Sequence, residues 1–330
     1  MNSTLPVTIR GTGVYAPPEI LDNAFFSSYL DTSDTWIVER TGIRQRHRCG
    51  EGESTATLAA AAARRALQNA GLTVEDVDLV IVCTATPDVV IPSTSCMLQG
   101  ELGIRNVPAF DVLAACSGFV YGLVVATSML QTGAYRNVLM VGAETLTRFT
   151  DYQDRSTCIL FGDAAAAVVL SPSDDPQRGI LYWNLGADGC QAKQIWVPAG
   201  GSRLPASTTT VAERLHTMRM RGREVYKFAV VKMQDEIDNA LQSCDMTADE
   251  LKLIIPHQSN LRIIESARSR LGLPADKVAV NIDRYGNTSA ASIGISFDEA
   301  RRSGAIRPGD RILLVAFGAG LTWATALLQL

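Results

Sequence analysis

Three side chains with usable chemistry lie where predicted strands give way to predicted helices: Cys116, His257 and Asn287. A cysteine can act as a nucleophile, a histidine can carry a proton or donate a hydrogen bond, and an asparagine amide is a fixed donor. Ligands of open α/β sheets bind beyond the carboxyl ends of the strands. Each of the three residues is therefore a candidate for a site at that edge.

Cys116 follows a predicted buried strand and begins a long helical pattern, among the small residues of the run 110–119. A thiol at a helix N-terminus lies at the positive end of the helix dipole, which favours the thiolate and predicts a lowered pKa. Small neighbours leave room for a substrate. The pattern is compatible with a nucleophile, and a cysteine packed in the core is the alternative.

His257 lies at the mouth of a predicted strand, in the run Ile-Ile-Pro-His-Gln-Ser-Asn that precedes a helical pattern. Asn287 lies in a turn rich in Gly, Asn, Thr and Ser that also precedes a helix. A satisfied structural histidine is the alternative for the first residue, and a helix cap is the alternative for the second. A buried amide donor that faces a pocket is the functional interpretation of Asn287.

Other common sites are disfavoured by the sequence. Gly11-Thr12-Gly13 follows an apolar strand, but two prolines follow where a dinucleotide-binding helix would have to begin, so we predict a tight structural turn. The seven cysteines contain no C-x-x-C pair, which argues against a disulfide framework and against a zinc site. No Walker-type lysine loop and no His-Glu-x-x-His pair is present, so we expect neither a metal nor a redox cofactor.

The elements that must position these residues alternate between strands rich in β-branched residues and longer helical patterns, which indicates an α/β protein. The predicted strands are residues 77–84, 109–113, 137–142, 165–170, 252–256 and 311–316. The predicted helices are residues 54–70, 220–242, 260–271 and 289–303. Residues 197–210 are the best candidate for a loop or insertion.

A weak internal repeat relates the two ends of the chain. A helix, the run Thr-Val-Glu-Asp (73–76) and a strand resemble a second helix, the run Thr-Ala-Asp-Glu (247–250) and a second strand. We therefore predict two similar α/β halves, residues 1–171 with Cys116 and residues 172–330 with His257 and Asn287. Two unrelated helix-strand units are the alternative.

The composition, 47% hydrophobic and 19% charged over 330 residues with a net charge of −4, excludes a disordered chain and disfavours a basic nucleic-acid binder. The longest apolar runs are shorter than the roughly 20 residues that a membrane helix needs. Residues 1–6 lack the basic start and apolar stretch of a signal peptide, so we expect a cytoplasmic location without membrane or nucleic-acid partners.

Four ordered motifs carry a resemblance to a known family. They are Ala-Ala-Cys-Ser-Gly-Phe (114–119), Pro-His-Gln-Ser-Asn (256–260), Gly-Asn-Thr-Ser-Ala-Ala-Ser (286–292) and Phe-Gly-Ala-Gly-Leu-Thr-Trp (317–323). Together they resemble β-ketoacyl-[acyl-carrier-protein] synthase III, a condensing enzyme of the thiolase fold, and the likeness runs nearly end to end. The resemblance implies two duplicated α/β halves in a layered α-β-α-β-α core, and a homodimer.

The resemblance also implies a Cys-His-Asn site. Cys116 would take an acyl group from acyl-CoA, and His257 and Asn287 would stabilise the enolate left when malonyl-[acyl-carrier protein] loses CO2. The backbone N–H groups of Cys116 and Ala319 would hold the tetrahedral oxyanion. The expected outcome is a 3-oxoacyl-[acyl-carrier protein] that begins fatty acid synthesis, with acetyl-CoA as the expected primer.

Further positions match substrate contacts of that family. The positions matching CoA contacts are Thr32, Trp36, Arg40, Arg155, Gly222 and Asn260. Within this set, Trp36 and Arg155 match the pair that stacks on the adenine. Lys227 and Arg262 match docking positions for the acidic carrier protein. Simple solvation is the alternative for each lone arginine.

The sequence departs from the family pattern in places that bear on the acyl pocket. Ala319 replaces a common glycine, Leu321 and Ile91 occupy positions that are often aromatic, and alanines replace glycines in the run 164–167. Ile91 is expected to reach across a dimer interface into the partner's pocket. The alternative function is a related condensing enzyme or acyltransferase of polyketide-type metabolism. A non-catalytic partner subunit is a further alternative, which the retained Cys116 disfavours.

Overall fold

A computed structural model describes residues 5–330, so most of the stretch considered for a signal peptide, residues 1–6, lies outside the described residues. Within residues 5–330 the chain forms thirteen strands and ten α-helices. The strands are β1 (Val7–Tyr15), β2 (Glu19–Asp22), β3 (Gln45–Arg48), β4 (Leu79–Cys83), β5 (Ala109–Val112), β6 (Val138–Thr145), β7 (Asp163–Pro172), β8 (Gly179–Ala187), β9 (Ile195–Trp196), β10 (Arg219–Met220), β11 (Leu253–Pro256), β12 (Arg311–Gly318) and β13 (Thr322–Gln329). The helices are α1 (Asn23–Ser27), α2 (Asp34–Thr41), α3 (Thr55–Ala70), α4 (Thr94–Leu102), α5 (Gly118–Gln131), α6 (Thr208–Ala212), α7 (Gly222–Ser243), α8 (Leu261–Arg270), α9 (Ile282–Tyr285) and α10 (Ala291–Arg302).

Two mixed sheets form the framework. The first has the order β1-β7-β6-β4-β5, in which β4 pairs in parallel with β5 and β6 while β7 is antiparallel to β6 and β1. The second has the order β11-β12-β13-β8, in which β11 and β12 are parallel and the other pairs are antiparallel. Strands β4, β6 and β11 are buried along their whole length, which explains their nearly continuous apolar sequence.

Helices separate and cover the sheets in five layers. α5 and α10 lie between the sheets, in one apolar cluster that draws residues from both of them. The alanine-rich face of α3 packs on the outer side of the first sheet, and α7 and α8 pack on the outer side of the second. The predicted α-β-α-β-α core of two duplicated halves is therefore confirmed. The division between residues 171 and 172 stays a prediction.

Most predicted elements are present with shifted ends, because hydrophobic periodicity locates an element better than its limits. The helix predicted over residues 54–70 begins after the Ser54 cap and ends at Gly71, in the left-handed conformation that the sequence predicted. Within the loop predicted over residues 197–210, the structure adds the start of the short helix α6.

The prediction of a tight turn at Gly11-Thr12-Gly13 is wrong. These residues lie inside β1, next to a bulge between Ile9 and Gly11. A Cβ atom at Gly11 or Gly13 would collide with the backbone of α3, at the carbonyl oxygens of Ala66 and Ala62. The glycines therefore allow the helix to approach the strand closely, a contact that the local sequence pattern does not reveal.

The internal repeat recognised in the sequence has a structural counterpart. Asp76 accepts hydrogen bonds from the N–H and hydroxyl groups of Thr73, at 2.8 and 3.0 Å, and Glu250 accepts the same pair from Thr247, at 2.9 and 3.2 Å. Both turns lead directly into a buried parallel strand, β4 or β11. Across residues 5–330, no helix combines the length and apolar character required to cross a membrane.

Candidate active site

Cys116 lies in a 3₁₀ turn, Ala115–Ser117, between β5 and the first residue of α5. The preceding residue, Ala115, has a left-handed φ of +47°, which makes the chain turn sharply before the helix. On its other side Cys116 meets the end of β12, where a Cβ atom on Gly318 would lie only 2.7 Å from the Cys116 nitrogen. The nucleophile candidate is therefore held between the start of α5 and a strand of the second half.

Thr322 connects the two loops that surround Cys116. Its Oγ1 lies 3.1 Å from the carbonyl oxygens of Ala114 and Ala319 and 3.1 Å from Ser117 Oγ. One hydroxyl thus contacts both sides of the turn. This hydroxyl therefore joins the backbone at Ala114, before Cys116, to the backbone at Ala319.

His257 follows β11 directly, and its backbone N–H donates to Val315 O at 2.8 Å, continuing the parallel ladder by one residue. The side chain is only 1% exposed, and its Nδ1 lies 2.7 Å from Ser292 Oγ. The ring contacts Phe317 edge-on, with centroids 5.8 Å apart. Burial lowers the pKa of His257 to about 3, so the imidazole is neutral near pH 7.

Asn287 is fixed by both its backbone and its side chain. Its N–H donates to Leu160 O at 2.9 Å, and its carbonyl accepts from Gly162 N–H at 3.0 Å. The side-chain oxygen accepts from Ser289 N–H at 2.9 Å, which identifies the other amide atom as the nitrogen. The Nδ2 group therefore remains available as a donor.

The structure brings Cys116, His257 and Asn287 together on the wall of one cavity of about 970 Å³. Ala319 also lines this cavity. Its apolar wall includes Leu113, Phe161, Ile195, Trp196, Val197, Met218 and Leu321. The cavity therefore combines a thiol, two candidate donors and enough apolar surface for an acyl chain.

The sequence-based prediction of a lowered Cys116 pKa is wrong for the free protein. Burial raises the pKa of the thiol to about 12; the Ser289 hydroxyl opposes this shift, and the Glu144 carboxylate adds to it. Burial disfavours the charged thiolate, because a thiolate loses more hydration energy than a thiol when it leaves water. The resting nucleophile is therefore a thiol near neutral pH.

Glu144 is a fully buried carboxylate near this site, close to the end of β6. It accepts hydrogen bonds from Thr86 Oγ1 at 2.6 Å, from Ala85 N–H at 3.1 Å and from Ala290 N–H at 3.4 Å. Burial raises its pKa, and these donors oppose the shift. Glu144 therefore connects the loop after β4 to the segment that carries Asn287.

The predicted CoA positions cluster at the surface end of the cavity. The guanidinium of Arg155 lies 5.1 Å from the centre of the Trp36 ring, and that of Arg40 lies 5.8 Å away. Asn260 donates to Arg40 O at 3.1 Å and also caps α8. Trp36, Arg40, Asn260 and Gly222 line the cavity, whereas Thr32 and Arg155 lie outside its lining. An adenine ring would have to separate Arg155 from Trp36 to stack between them.

The two predicted docking residues are exposed at the same opening. Lys227 lies on the first turns of α7, 3.5 Å from Glu224, and the guanidinium of Arg262 lies 5.7 Å from the Tyr226 ring centre. Both residues line the cavity. Arg40 and Arg223 also line this cavity, so a negatively charged partner at the opening would meet four cationic side chains.

Sequence reasoning missed several side chains that support the site. Ser292 and Thr322 lie within recognised motifs, but nothing in the local pattern showed what they contact. Glu144 could have been found from the sequence, because it is the one charged residue in the run 138–145, which begins with six residues that carry no polar side chain. Within residues 5–330, the structure contains no group of three or more His, Cys, Asp or Glu side chains arranged to hold a metal ion.

Comparisons with known proteins agree with the geometry. The family described as "3-Oxoacyl-[acyl-carrier-protein (ACP)] synthase III" matches residues 110–189, and its C-terminal counterpart matches residues 241–330. A β-ketoacyl-[acyl-carrier-protein] synthase III from Caldanaerobacter subterraneus subsp. tengcongensis is 51% identical over 321 residues, which is 97% of each chain.

Solved structures give the same result. The 3-oxoacyl-[acyl-carrier-protein] synthase III of Aquifex aeolicus matches with a TM-score of 0.90 and 42% identity, over 98% of this chain and 100% of that one. A priming β-ketosynthase from a polyketide biosynthetic pathway matches with a TM-score of 0.90 and 35% identity, over 99% and 97% of the two chains. The chain therefore belongs to the β-ketoacyl-[acyl-carrier-protein] synthase III family.

Proposed function

We propose that this chain condenses an acyl-CoA primer, with acetyl-CoA as the expected one, with malonyl-[acyl-carrier protein] to form 3-oxoacyl-[acyl-carrier protein] and CO2, as the first condensation of fatty acid synthesis. The observation that carries the proposal is the presence of Cys116, neutral His257 and the oriented Asn287 amide on one cavity wall. The residues supply a nucleophile and two donors, which are the groups that a decarboxylative Claisen condensation needs.

In the first step the Cys116 sulfur attacks the thioester carbonyl carbon of the primer. The sulfur–carbon bond to CoA breaks, and the thiol proton leaves with the CoA sulfur, so an acyl-Cys116 thioester and free CoA result. The backbone N–H groups of Cys116 and Ala319 hold the oxyanion of the tetrahedral intermediate. The thioester keeps the acyl group activated for the second step.

In the second step the malonyl thioester loses CO2 and leaves an enolate. His257 and Asn287 donate to the enolate oxygen, where negative charge develops during the reaction. The enolate carbon attacks the acyl-Cys116 carbonyl, and collapse of the intermediate releases Cys116, which takes up a proton. Side chains and backbone of this chain carry every step, so the proposal includes no metal and no redox cofactor.

The protein acts as a homodimer in this proposal. Val90 and Ile91 are 83% and 85% exposed, and Leu113, which follows the sheet edge strand β5, is 74% exposed. A second copy would cover these side chains and place its Ile91 near the acyl end of the cavity. The cytoplasmic location, expected from the short apolar runs and from residues 1–6, stays a prediction.

The decisive experiment incubates the purified full chain with acetyl-CoA and then with malonyl-[acyl-carrier protein]. We expect a mass increase of one acyl group on the peptide containing Cys116, followed by its loss together with release of CO2. Cys116→Ser should abolish the adduct and the product, whereas Cys96→Ser, which changes an exposed thiol outside the cavity, should not. Normal condensation by Cys116→Ser would overturn the assignment.

The second candidate is a priming role in polyketide-type metabolism, which the 35% identity to a priming β-ketosynthase favours. The two candidates share the chemistry and differ in acceptor and primer. Turnover with the carrier protein of fatty acid synthesis and acetyl-CoA supports the first candidate. Turnover only with a specialised carrier protein or a longer primer supports the second.

A further inference from the structure

The surroundings of Ser292 fix which atom donates in the hydrogen bond between Ser292 Oγ and His257 Nδ1. Ser292 lies in the first turn of α10, is 2% exposed, and places its Oγ 2.7 Å from His257 Nδ1. The same oxygen accepts from the backbone N–H of Gln258 at 3.4 Å. A serine hydroxyl has a single hydrogen to donate and can accept from other groups.

The hydroxyl hydrogen of Ser292 has a single available acceptor in the described part of the chain. Among residues 5–330, the Ser292 hydroxyl has no acceptor other than His257 Nδ1. If Nδ1 carried a hydrogen, two hydrogens would face each other or the buried hydroxyl would be left without an acceptor. Ser292 therefore donates to Nδ1, and a neutral ring must carry its own hydrogen on Nε2.

We propose that Ser292 is a positioning residue that sets the Nε2–H tautomer of His257 and holds the ring so that this N–H points at the enolate oxygen. The inference rests on the proposed decarboxylation step. In the opposite tautomer Nε2 would present a lone pair to the developing negative charge and would repel it. The tautomer therefore decides whether His257 helps or hinders decarboxylation.

The location of Ser292 couples the two donors. Asn287 and Ser292 lie on one short segment, and Ser289 N–H on the same segment orients the Asn287 amide. The start of α10 thus sets the direction of the Asn287 donor through a backbone group and that of the His257 donor through a side chain. Phe317 packs against the edge of the ring and limits its rotation.

The test compares Ser292→Thr with Ser292→Val, two nearly isosteric variants that differ in the hydroxyl. The chain has only three histidines, so ¹⁵N-histidine NMR of the intact protein can resolve His257, with His257→Gln used for assignment. We expect the wild type and the Thr variant to show a protonated Nε2 and a hydrogen-bonded Nδ1. The Val variant should lose the Nδ1 hydrogen bond and populate both tautomers.

Kinetics give a second readout on the same variants. Ser292→Val should lower the rate of condensation about tenfold, because one buried hydrogen bond is lost, while acylation of Cys116 stays within a factor of two. Ser296→Ala is the matched control, since Ser296 lies on the same helix, donates to Ser292 O at 3.1 Å and, within residues 5–330, makes no hydrogen bond to His257. It should change neither readout.

The outcomes separate the two proposals. A wild-type spectrum with a protonated Nδ1, or an unchanged tautomer and rate in Ser292→Val, would overturn the role of Ser292. The NMR measurement needs no substrate. If the spectra follow the expectation but the wild type does not condense, the proposed function fails and the tautomer assignment stands.

Discussion

The two halves of the molecule repeat one topology, but they differ in what they place at equivalent strand ends. The order β1-β7-β6-β4 in the first sheet matches the order β8-β13-β12-β11 in the second, with the same strand directions. The first sheet adds β5 beside β4. At the corresponding place in the second, a single parallel bridge joins Ile254 to Val278.

The matching registers define equivalent residues. Thr84 follows the last residue of β4, and His257 follows the last residue of β11, the equivalent parallel strand of the second half. Strand β6 pairs with β4, and β12 pairs with β11. Glu144 is the seventh of the eight residues of β6, and Phe317 is the seventh of the eight residues of β12.

The central helices correspond as well. Both α5 and α10 are preceded by a residue with a φ of +47°, Ala115 in the first half and Ser289 in the second. The residues that follow, Cys116 and Ala290, are therefore equivalent.

The two halves therefore meet at two equivalent junctions, one around Cys116 and one around Ala290, and the first of these carries the candidate nucleophile. Around Cys116, the second half supplies His257, Phe317 and Gly318, and the junction opens into the cavity. Around Ala290, the first half supplies Glu144, whose carboxylate accepts the backbone N–H and is fully buried. The duplicated framework therefore creates two similar junctions that differ in a few side chains, and these side chains give only the Cys116 junction a thiol that faces a cavity.

The sharpest test of this comparison exchanges equivalent residues for alanine. His257→Ala should lower the rate of decarboxylative condensation by about 10²- to 10³-fold, because it removes a donor to the enolate. Thr84→Ala should leave that rate within a few-fold, since among residues 5–330 the Thr84 hydroxyl has hydrogen-bond partners only at Thr86 and Glu144. Release of CO2 from pre-acylated enzyme measures both, and similar losses would contradict the asymmetry.

A smaller effect is expected where the second half supports Cys116. Gly318→Ala would place a Cβ atom 2.7 Å from the Cys116 nitrogen and displace the nucleophile, which should slow acylation of Cys116 by roughly a hundredfold. Gly100→Ala, in a helix and facing open space, is the control and should not slow it. The rate of adduct formation by mass spectrometry checks both variants, and equal rates would refute the close contact.

Glu144→Gln tests the junction around Ala290. It should lower the free energy of unfolding by about 1–3 kcal/mol, because an amide cannot accept from all the donors that surround the carboxylate. It should also lower the pKa of Cys116, which the Glu144 charge raises.

Alkylation of the Cys116 peptide by iodoacetamide reports this pKa. Below a thiol pKa of about 12 the thiolate fraction grows with pH, so the wild-type rate should keep rising up to pH ~10, and the Gln variant should react faster at each pH. Glu236→Gln is the control: it alters another buried carboxylate, bonded to Asn184 and Thr325 beyond the second sheet, and should leave alkylation unchanged. Equal alkylation of Glu144→Gln and wild type would rule out the electrostatic link.

The smallest effects should be equal in the two halves. Thr73→Ala and Thr247→Ala each remove a hydroxyl that bonds to the acidic residue of the same turn, and each should lower Tm by about 1–2 °C without changing condensation. Calorimetry checks the pair. A large loss in only one variant would show that the repeated turns are not equivalent.

Local sequence was informative where function depends on short segments. Cys116, His257 and Asn287 were recognisable because each lies in a run of small or polar residues between a strand and a helix. Ser54 and Gly71 marked the ends of α3 for a similarly local reason. The repeated turns at residues 73–76 and 247–250 revealed the duplication.

Predictions that depended on distant packing were less successful. The local pattern of Gly11 and Gly13 predicts a turn, because α3, whose close approach needs these glycines, is more than forty residues away in sequence. The helix N-terminus, a local feature, predicts a lowered Cys116 pKa, whereas the burial that raises this pKa depends on packing against distant segments such as the end of β12.

The α/β layering, the duplication, the nucleophile candidate and its two partners can be predicted from the sequence, because residue type and hydrophobic period are local properties. The neutral His257 with Nδ1 against Ser292, the burial of Glu144 beside Ala290 and the opening of one junction into a cavity depend on the fold. These properties arise from desolvation and from contacts between chain segments far apart in sequence, which no local pattern records.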